Sequence, residues 1–230
     1  MAIIIIDQAL KFYIKLNYVS GESHNMLGAG QNWAQLYFIE NEGMAWGWKL
    51  GDKWGKLALT LFRLVAVIWG TFLIRGFIKK NMNKGFIICA CLIYAGALGN
   101  LIDSLFYGVI FDTSYAYNPN NPTVPVIAKA FTGQGYGQLF FGKVVDMLYF
   151  PIINNKTLPS WIPFWGGDKF TFFSPIFNIA DASISIGIIV LFIFQKRLLG
   201  QQTKPQKHQE NTVATIETGG AAEQQIGASI

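Results

Sequence analysis

The chain has 230 residues, of which 52% are hydrophobic, 15% aromatic and only 13% charged, with a formal net charge of +5. A soluble domain carries about 25% charged residues, so half that share points to a chain solvated mainly by lipid and excludes disorder, collagen and nucleic-acid binding for its bulk. The two cysteines, Cys89 and Cys91, turn about 200° away from each other on a helix, which leaves no disulfide framework and no Cys-x-x-Cys metal site.

A helical crossing of a bilayer needs about 20 mostly apolar residues. In chain order, the first candidate covers residues 1–19. It is the weakest, because Asp7, Lys11 and Lys15 interrupt it, and it lacks the basic leader, long apolar core and small-residue cleavage site of a secretory signal. Residues 20–55 follow as an outward-facing segment. The second span, 57–78, contains Arg63, and the third, 85–105, ends in Asn100 and Asp103. Residues 106–174 read as a long outer loop. The fourth span, 175–195, contains Asn178 and Asp181 and is predicted to start with Ser174 as cap and Pro175 at the first helical position. The tail, 199–230, has no aromatic residue and is rich in Gln, Thr, Gly and Ala, a composition that does not order itself.

Arg75, Lys79, Lys80 and Lys84 join spans two and three, and Lys196 and Arg197 follow span four. Short basic loops stay in the cytoplasm. Both termini are therefore expected inside, with 20–55 and 106–174 outside. Lys49, Lys53 and Lys56 oppose this weakly and are partly offset by Glu40, Glu42 and Asp52.

A carboxylate in hydrocarbon costs a few kcal/mol and asks for a reason. Asp7, Asp103 and Asp181 all fall in predicted spans. With Pro175 opening the last helix, Asp181 lies about 9 Å along it. Asn100 and Asp103, like Asn178 and Asp181, are three residues apart and share a helix face, so two polar faces meet at one outer depth. Two carboxylates one water apart cannot both ionise cheaply, so one keeps a proton while the other acts as base on a water. That is aspartyl-protease chemistry, which needs no metal or other cofactor. His24 and His208 are too few and too scattered for a zinc site or a triad and read as solvated surface residues.

Other readings stand beside this one. Asn-x-x-Asp also ties membrane helices together, Asp7 and Lys11 have the spacing of a mutually neutralising pair, and Arg63 either snorkels or pairs with a carboxylate. A non-enzymatic alternative is a small transporter or lipid-binding protein whose aspartates carry ions or protons. Transport favours repeats or broken helices near the midplane, whereas these carboxylates cluster toward one face. Gly166-Gly167-Asp168 reads as a turn.

Five blocks, in order, resemble the lipoprotein signal peptidases (signal peptidase II): Asp7-Gln8 with Lys11; Asn41-Glu42-Gly43-Met44-Ala45-Trp46-Gly47, like NxGxAFG; Gly99-Asn100-Leu101-Ile102-Asp103, like GNxxD; Gly142-Lys143-Val144-Val145-Asp146, like GxVVD; and Phe177-Asn178-Ile179-Ala180-Asp181, like FNxAD. The resemblance implies an all-α integral membrane peptidase over 1–198, with four transmembrane helices, a small extracytoplasmic β-cradle at 20–55, an extended outer loop and a disordered cytoplasmic tail. It implies a metal-free aspartyl endopeptidase of the bacterial inner membrane, with its site toward the outer face. Its substrates would be prolipoproteins already carrying a diacylglyceryl group, cut just before the lipidated cysteine. Membrane lipids are then its other partners, nucleic acid is not one, and the chain acts as a monomer. Asp146 and Asp181 become the catalytic pair, and Asn41, Gly43, Asn100, Asp103, Asn178, Asp7 and Lys11 the shell that positions substrate and pair.

The chain departs from this pattern in three places. Ser104 stands where the family usually has Arg after GNxxD, and Arg63 is a hypothetical substitute. Asp146 lies 43 residues beyond Asp103 instead of about nine. Asp112 sits at the usual spacing, but Asp146 is favoured because its motif matches by residue identity. The intervening residues then read as an inserted outer loop, either an interfacial one or an ordinary surface loop. Finally, only six residues precede Asp7, so the first span starts late.

Overall fold

The computed structural model describes residues 1–28, 33–42, 53–114, 125–151, 153–157, 159–161, 166–172 and 175–199. Gly43 with 44–47, the Ser174 cap and the expected tail beyond Leu199 lie outside the described residues.

Helix α1, Ala2–Asn17, is inside out by the standards of a soluble protein. Asp7, Lys11, Ile14 and Lys15 form its buried face, while Ile5, Ile6, Tyr13 and Leu16 are exposed. Lipid as the outer solvent explains this inversion: apolar side chains face out, and charges survive only where other protein groups neutralise them. The helix has 16 residues and rises about 24 Å. That falls short of a hydrocarbon core about 30 Å thick. Three helices are long and apolar enough to cross a bilayer on their own, and α1, the shortest of the expected four spans, packs beside them.

Helix α2, Lys53–Lys79, and helix α3, Lys84–Ile110, have 27 residues each. One face of α2 offers Leu61, Phe62, Val65, Ile68, Trp69 and Phe72 outward. Its opposite stripe holds Thr60 and Val67, both buried, and Thr71, whose hydroxyl shares a 2.9 Å hydrogen bond with Tyr94. Asn83 caps α3 by accepting from the Gly85 N–H at 2.8 Å. Helix α4, Ile179–Leu199, crosses α3 closely enough that a Cβ at Gly96 would collide with the Ala180 carbonyl. Small residues at such crossings let two membrane helices approach backbone to backbone.

The start of α4 corrects the expectation at Pro175. Ile176–Phe177 form a strand, β6, and the helix begins at Ile179 with Asn178 before it. The Asn178 side-chain oxygen accepts from the Asp181 N–H at 2.9 Å, and the Asn178 N–H points back to Asp181 Oδ2 at 3.4 Å. This is a reciprocal capping arrangement. Asp181 therefore sits in the first turn of α4, not two turns down. The sequence signal of a Pro at a helix start lost to strand pairing with a distant segment.

That segment is β3, Val144–Tyr149, in an antiparallel sheet of order β1-β2-β3-β6, where β1 is Ser23–Asn25 and β2 is Gln35–Asn41. Ile39 pairs with Asp146, Asn41 with Val144, and Leu148 with Phe177. Of these four strands, β1 and β2 come from the expected cradle segment 20–55, β3 from the outer loop, and β6 from the start of the expected fourth span. A second hairpin joins β4, Ile153–Thr157, to β5, Lys169–Phe172. Beneath the main sheet, Ile14, Phe38, Tyr107, Phe111, Val145 and Met147 form a buried core.

The expected outer loop from residue 106 also begins later, because α3 continues to Ile110. Its return is laced to the end of that helix. Phe111 bridges Ala130, and N–H groups of Gly137, Phe140 and Gly142 bond the carbonyls of Gly108, Leu105 and Ser104 at 2.9, 3.1 and 2.9 Å. Of these, the Gly108 carbonyl is among the last four that a helix leaves without an intrahelical partner. A Cβ at Gly142 would overlap the Asp103 carbonyl, so glycine is what lets β3 start directly against α3. The long excursion after Asp103 is closed off by these bonds, and Asp146 arrives beside the polar turn of α3 despite it.

Candidate active site

Asp146 stands in the middle of β3. Val145 and Met147 enter the core, and the two-residue alternation of a strand sends the carboxylate between them to the opposite face. Asn41, near the end of the neighbouring strand, donates to its Oδ2 at 3.1 Å, and Asn178 donates to its Oδ1 at 2.8 Å. Only 3% of Asp146 is exposed. Burial, and then the nearby charge of Asp181, push its carboxyl up to about 7, against the pull of the Asn41 bond.

Asp181 is held by the same asparagine from the other side, through the cap of α4. Its Oδ1 accepts from Asn100 Nδ2 at 2.7 Å. Asn100 and Asn178 are themselves joined at 3.2 Å. Three side-chain amides from β2, α3 and the β6–α4 junction therefore fix two carboxylates, and Asn178 touches both. Asp146 is buried, while Asp181 is only partly so, which leaves the pair one open side.

Behind the amides lies a charged cluster. Lys11 Nζ meets Asp7 Oδ2 at 2.8 Å, Asp103 Oδ2 at 2.6 Å and Asn100 Oδ1 at 3.1 Å. The anticipated Asp7–Lys11 pair is present, but with Asp103 as a third member. Asp7 also accepts from the Ala180 N–H at 2.9 Å, tying α1 to the start of α4. Asp103 corrects an expectation: spacing set it opposite Asp181, whereas it is fully buried against Lys11. Two α3 positions three residues apart diverge enough in angle that Asn100 faces α4 and Asp103 faces α1.

Asp112, the rival at the usual spacing, lies elsewhere. Its Oδ1 accepts from the Lys129 N–H at 2.6 Å in the returning loop. Arg63 reaches Ser104, donating through Nη1 at 2.8 Å.

Sequence reasoning passed over Gln8 and Tyr107. Gln8 Nε2 donates to Asp103 Oδ1 at 2.8 Å, and its oxygen accepts from Tyr107 at 3.0 Å. Gln8 adjoins Asp7 in the first motif, which was the available signal. Lys15 was also missed: it is buried, pairs with Glu40, and lies 5.0 and 4.9 Å from the ring centres of Phe111 and Tyr136. Its spacing of four from Lys11 marked it for the same face. Among the described residues, no three His, Cys, Asp or Glu side chains are grouped to hold a metal ion.

Residues 1–196 match the family model for "Signal peptidase (SPase) II". The chain is 41% identical over 220 residues to a lipoprotein signal peptidase of Porphyromonas gingivalis (strain ATCC 33277), covering 93% of this chain and 90% of that one. It is 32% identical over 215 residues to one of Amoebophilus asiaticus (strain 5a2), covering 93% and 82%. Among solved structures, one described as "Bacterial membrane enzyme structure by the in meso method at 2.3 A resolution" superposes with a TM-score of 0.47 at 22% identity, covering 88% and 89% of the two chains.

Proposed function

Because the chain belongs to the signal peptidase II family, we propose that it is an aspartic-type endopeptidase in which Asp146 and Asp181 activate the hydrolytic water. The observation that carries this reading is the bonding of both carboxylates to Asn178, with Asn41 and Asn100 holding their outer oxygens. One carboxylate is buried with its proton affinity raised, while its neighbour keeps an open side.

The step that follows is a general acid–base hydrolysis. The ionised carboxylate, Asp181, takes a proton from water as the oxygen attacks the scissile carbonyl. Protonated Asp146 gives its proton to the carbonyl oxygen. As the tetrahedral diol collapses, ionised Asp146 takes back a hydroxyl proton and the proton gathered by Asp181 leaves with the new amine. Asp7, Lys11 and Asp103 are sealed from solvent, which supports a role in orienting Asn100 and the first turn of α4 over any contact with substrate.

The substrate is a prolipoprotein bearing a diacylglyceryl cysteine, cut just before that residue by a monomeric enzyme. The basic residues Lys79, Lys80, Lys84, Lys196 and Arg197 lie at the helix ends away from the sheet. With positive ends inside, this supports an extracytoplasmic site in the bacterial inner membrane and cytoplasmic termini.

The purified chain in detergent is expected to release a single signal peptide from a diacylglyceryl-modified precursor and to leave the unmodified precursor intact; no cleavage of either would contradict the proposal. Its kcat/KM should fall as pH rises through about 7, because the proton that Asp146 must donate is then lost. A rate that does not change across that pH would argue against a shared proton.

A further inference from the structure

Strands β2 and β3 do not keep one register. Gln35 and Leu36 pair with Tyr149 and Leu148, whereas Ile39, Glu40 and Asn41 pair with Asp146, Val145 and Val144. Tyr37 and Phe38 of β2 therefore stand against Met147 alone, which is a β-bulge. Beyond it Asn41 shares the face of Asp146, and Glu40 shares the core face of Val145. Had the first register run on, every partner would change by one. Asn41 would turn to the core face, and Glu40 would bring its carboxylate to the face of Asp146. The bond from Asn41 to Asp146 thus depends on where the bulge sits.

A buried charge cluster on the core face marks that place. Lys15, in the last turn of α1, is fully buried and pairs with Glu40. Its ammonium lies 5.0, 4.9 and 6.0 Å from the ring centres of Phe111, Tyr136 and Phe38, and ring faces attract a cation at such distances. Phe38 belongs to the bulge itself. Glu40 Oε2 also lies 3.6 Å from Lys143 Nζ, and the Lys143 N–H donates to the Tyr136 hydroxyl at 2.7 Å. An ion pair taken out of water adds little net stability, because desolvation offsets the attraction, and its best-attested use is to fix registry.

We propose that Lys15 and Glu40 are positioning residues that pin the β2 bulge at Tyr37–Phe38 and so keep Asn41 bonded to Asp146. This rests on the aspartic endopeptidase reading. A slip of one residue would take the Glu40 carboxylate away from Lys15 and turn it toward Asp146, so the pair excludes the competing register. The alternative, a brace that only holds α1 to the sheet, predicts changes in melting and none in the chemistry of Asp146.

The test uses the full chain in detergent with a diacylglyceryl-modified precursor, and measures kcat, KM, the pH profile of kcat/KM and melting temperature. Lys15→Met with Glu40→Leu removes both charges at similar volume and should melt close to wild type or above it. Its kcat should fall by about 10 to 10²-fold, since small displacements within a site cost that much. The loss of activity near pH 7 should move to higher pH, because the Asn41 bond favours the ionised form of Asp146 and is lost. The charged groups acting on that carboxyl, Asp181 on α4, Lys11 on α1 and Arg63 on α2, stay the same in this variant. Asn41→Ala should show the same shift, and adding the pair replacement to it should lower kcat by less than about threefold more, because changes acting through one bond do not add. If the double variant does not fold, Glu40→Gln carries the test with the same two readouts, kcat and the alkaline shift. Full additivity with Asn41→Ala, turnover within about threefold of wild type, or lowered turnover with an unmoved alkaline loss would each overturn the proposal. A wild-type chain that fails to cleave would instead overturn the peptidase reading itself.

Discussion

Asp146→Asn and Asp181→Asn should each lower prolipoprotein cleavage by about 10² to 10⁴-fold, the range that a positioned acid or base contributes, without preventing folding. The reason lies in what the neighbours ask of each carboxylate. Asn41 and Asn178 donate to the two oxygens of Asp146, and an amide at that position keeps one acceptor while losing the proton to be shared. Asp146 is also raised in proton affinity in the fold. A carboxyl whose folded pKa exceeds its unfolded value near 4 contributes stability at low pH and loses that contribution as pH rises toward about 7. Asp146→Asn should therefore melt at or above the wild-type temperature at alkaline pH, with the difference shrinking in acid. An inactive variant that melts far below wild type at alkaline pH would point to a structural role instead.

The second large effect is on stability. Lys11→Met removes the only cation seen on Asp7 and Asp103 among the described residues, and both carboxylates are buried. Removing one partner of a buried ion cluster leaves uncompensated charge and costs about 3–5 kcal/mol. The expected result is a strongly lowered melting temperature in detergent. Adding Asp103→Asn should return part of the loss, since one stranded charge disappears with it, and contacting residues show such coupling. A Lys11→Met protein that melts within a degree or two of wild type would show that the cluster is not what holds α1 to α3 and α4.

Much of this site is legible in the sequence, and the misses have identifiable causes. Acidic residues inside apolar runs are conspicuous because lipid leaves little reason for them, and this drew attention to Asp7, Asp103 and Asp181. Which of them face one another is a different question, set by helix rotation and crossing, and helical spacing alone mispaired Asp103 with Asp181. The lysine four residues after Asp7 has the spacing of a local partner, yet a long side chain on a short helix also reaches its neighbour. Asn178 and Asp181 carry the spacing of a capping pair, but Pro175 offers a competing start four residues before Ile179. Only pairing of Ile176 and Phe177 with β3 decides between them, and such long-range pairing leaves no local trace. The same holds for Asp146: its motif was readable, whereas the lacing of the returning loop along α3 that delivers it was not.

The most direct test of the account is cleavage of a diacylglyceryl-modified prolipoprotein by the full chain, comparing Asp112→Asn and Asp146→Asn side by side at matched folding. Asp112 bonds a loop N–H, so its variant should cleave at close to the wild-type rate, while the Asp146 variant should be inactive. An active Asp146→Asn protein beside a dead Asp112→Asn one would contradict the pairing of Asp146 with Asp181.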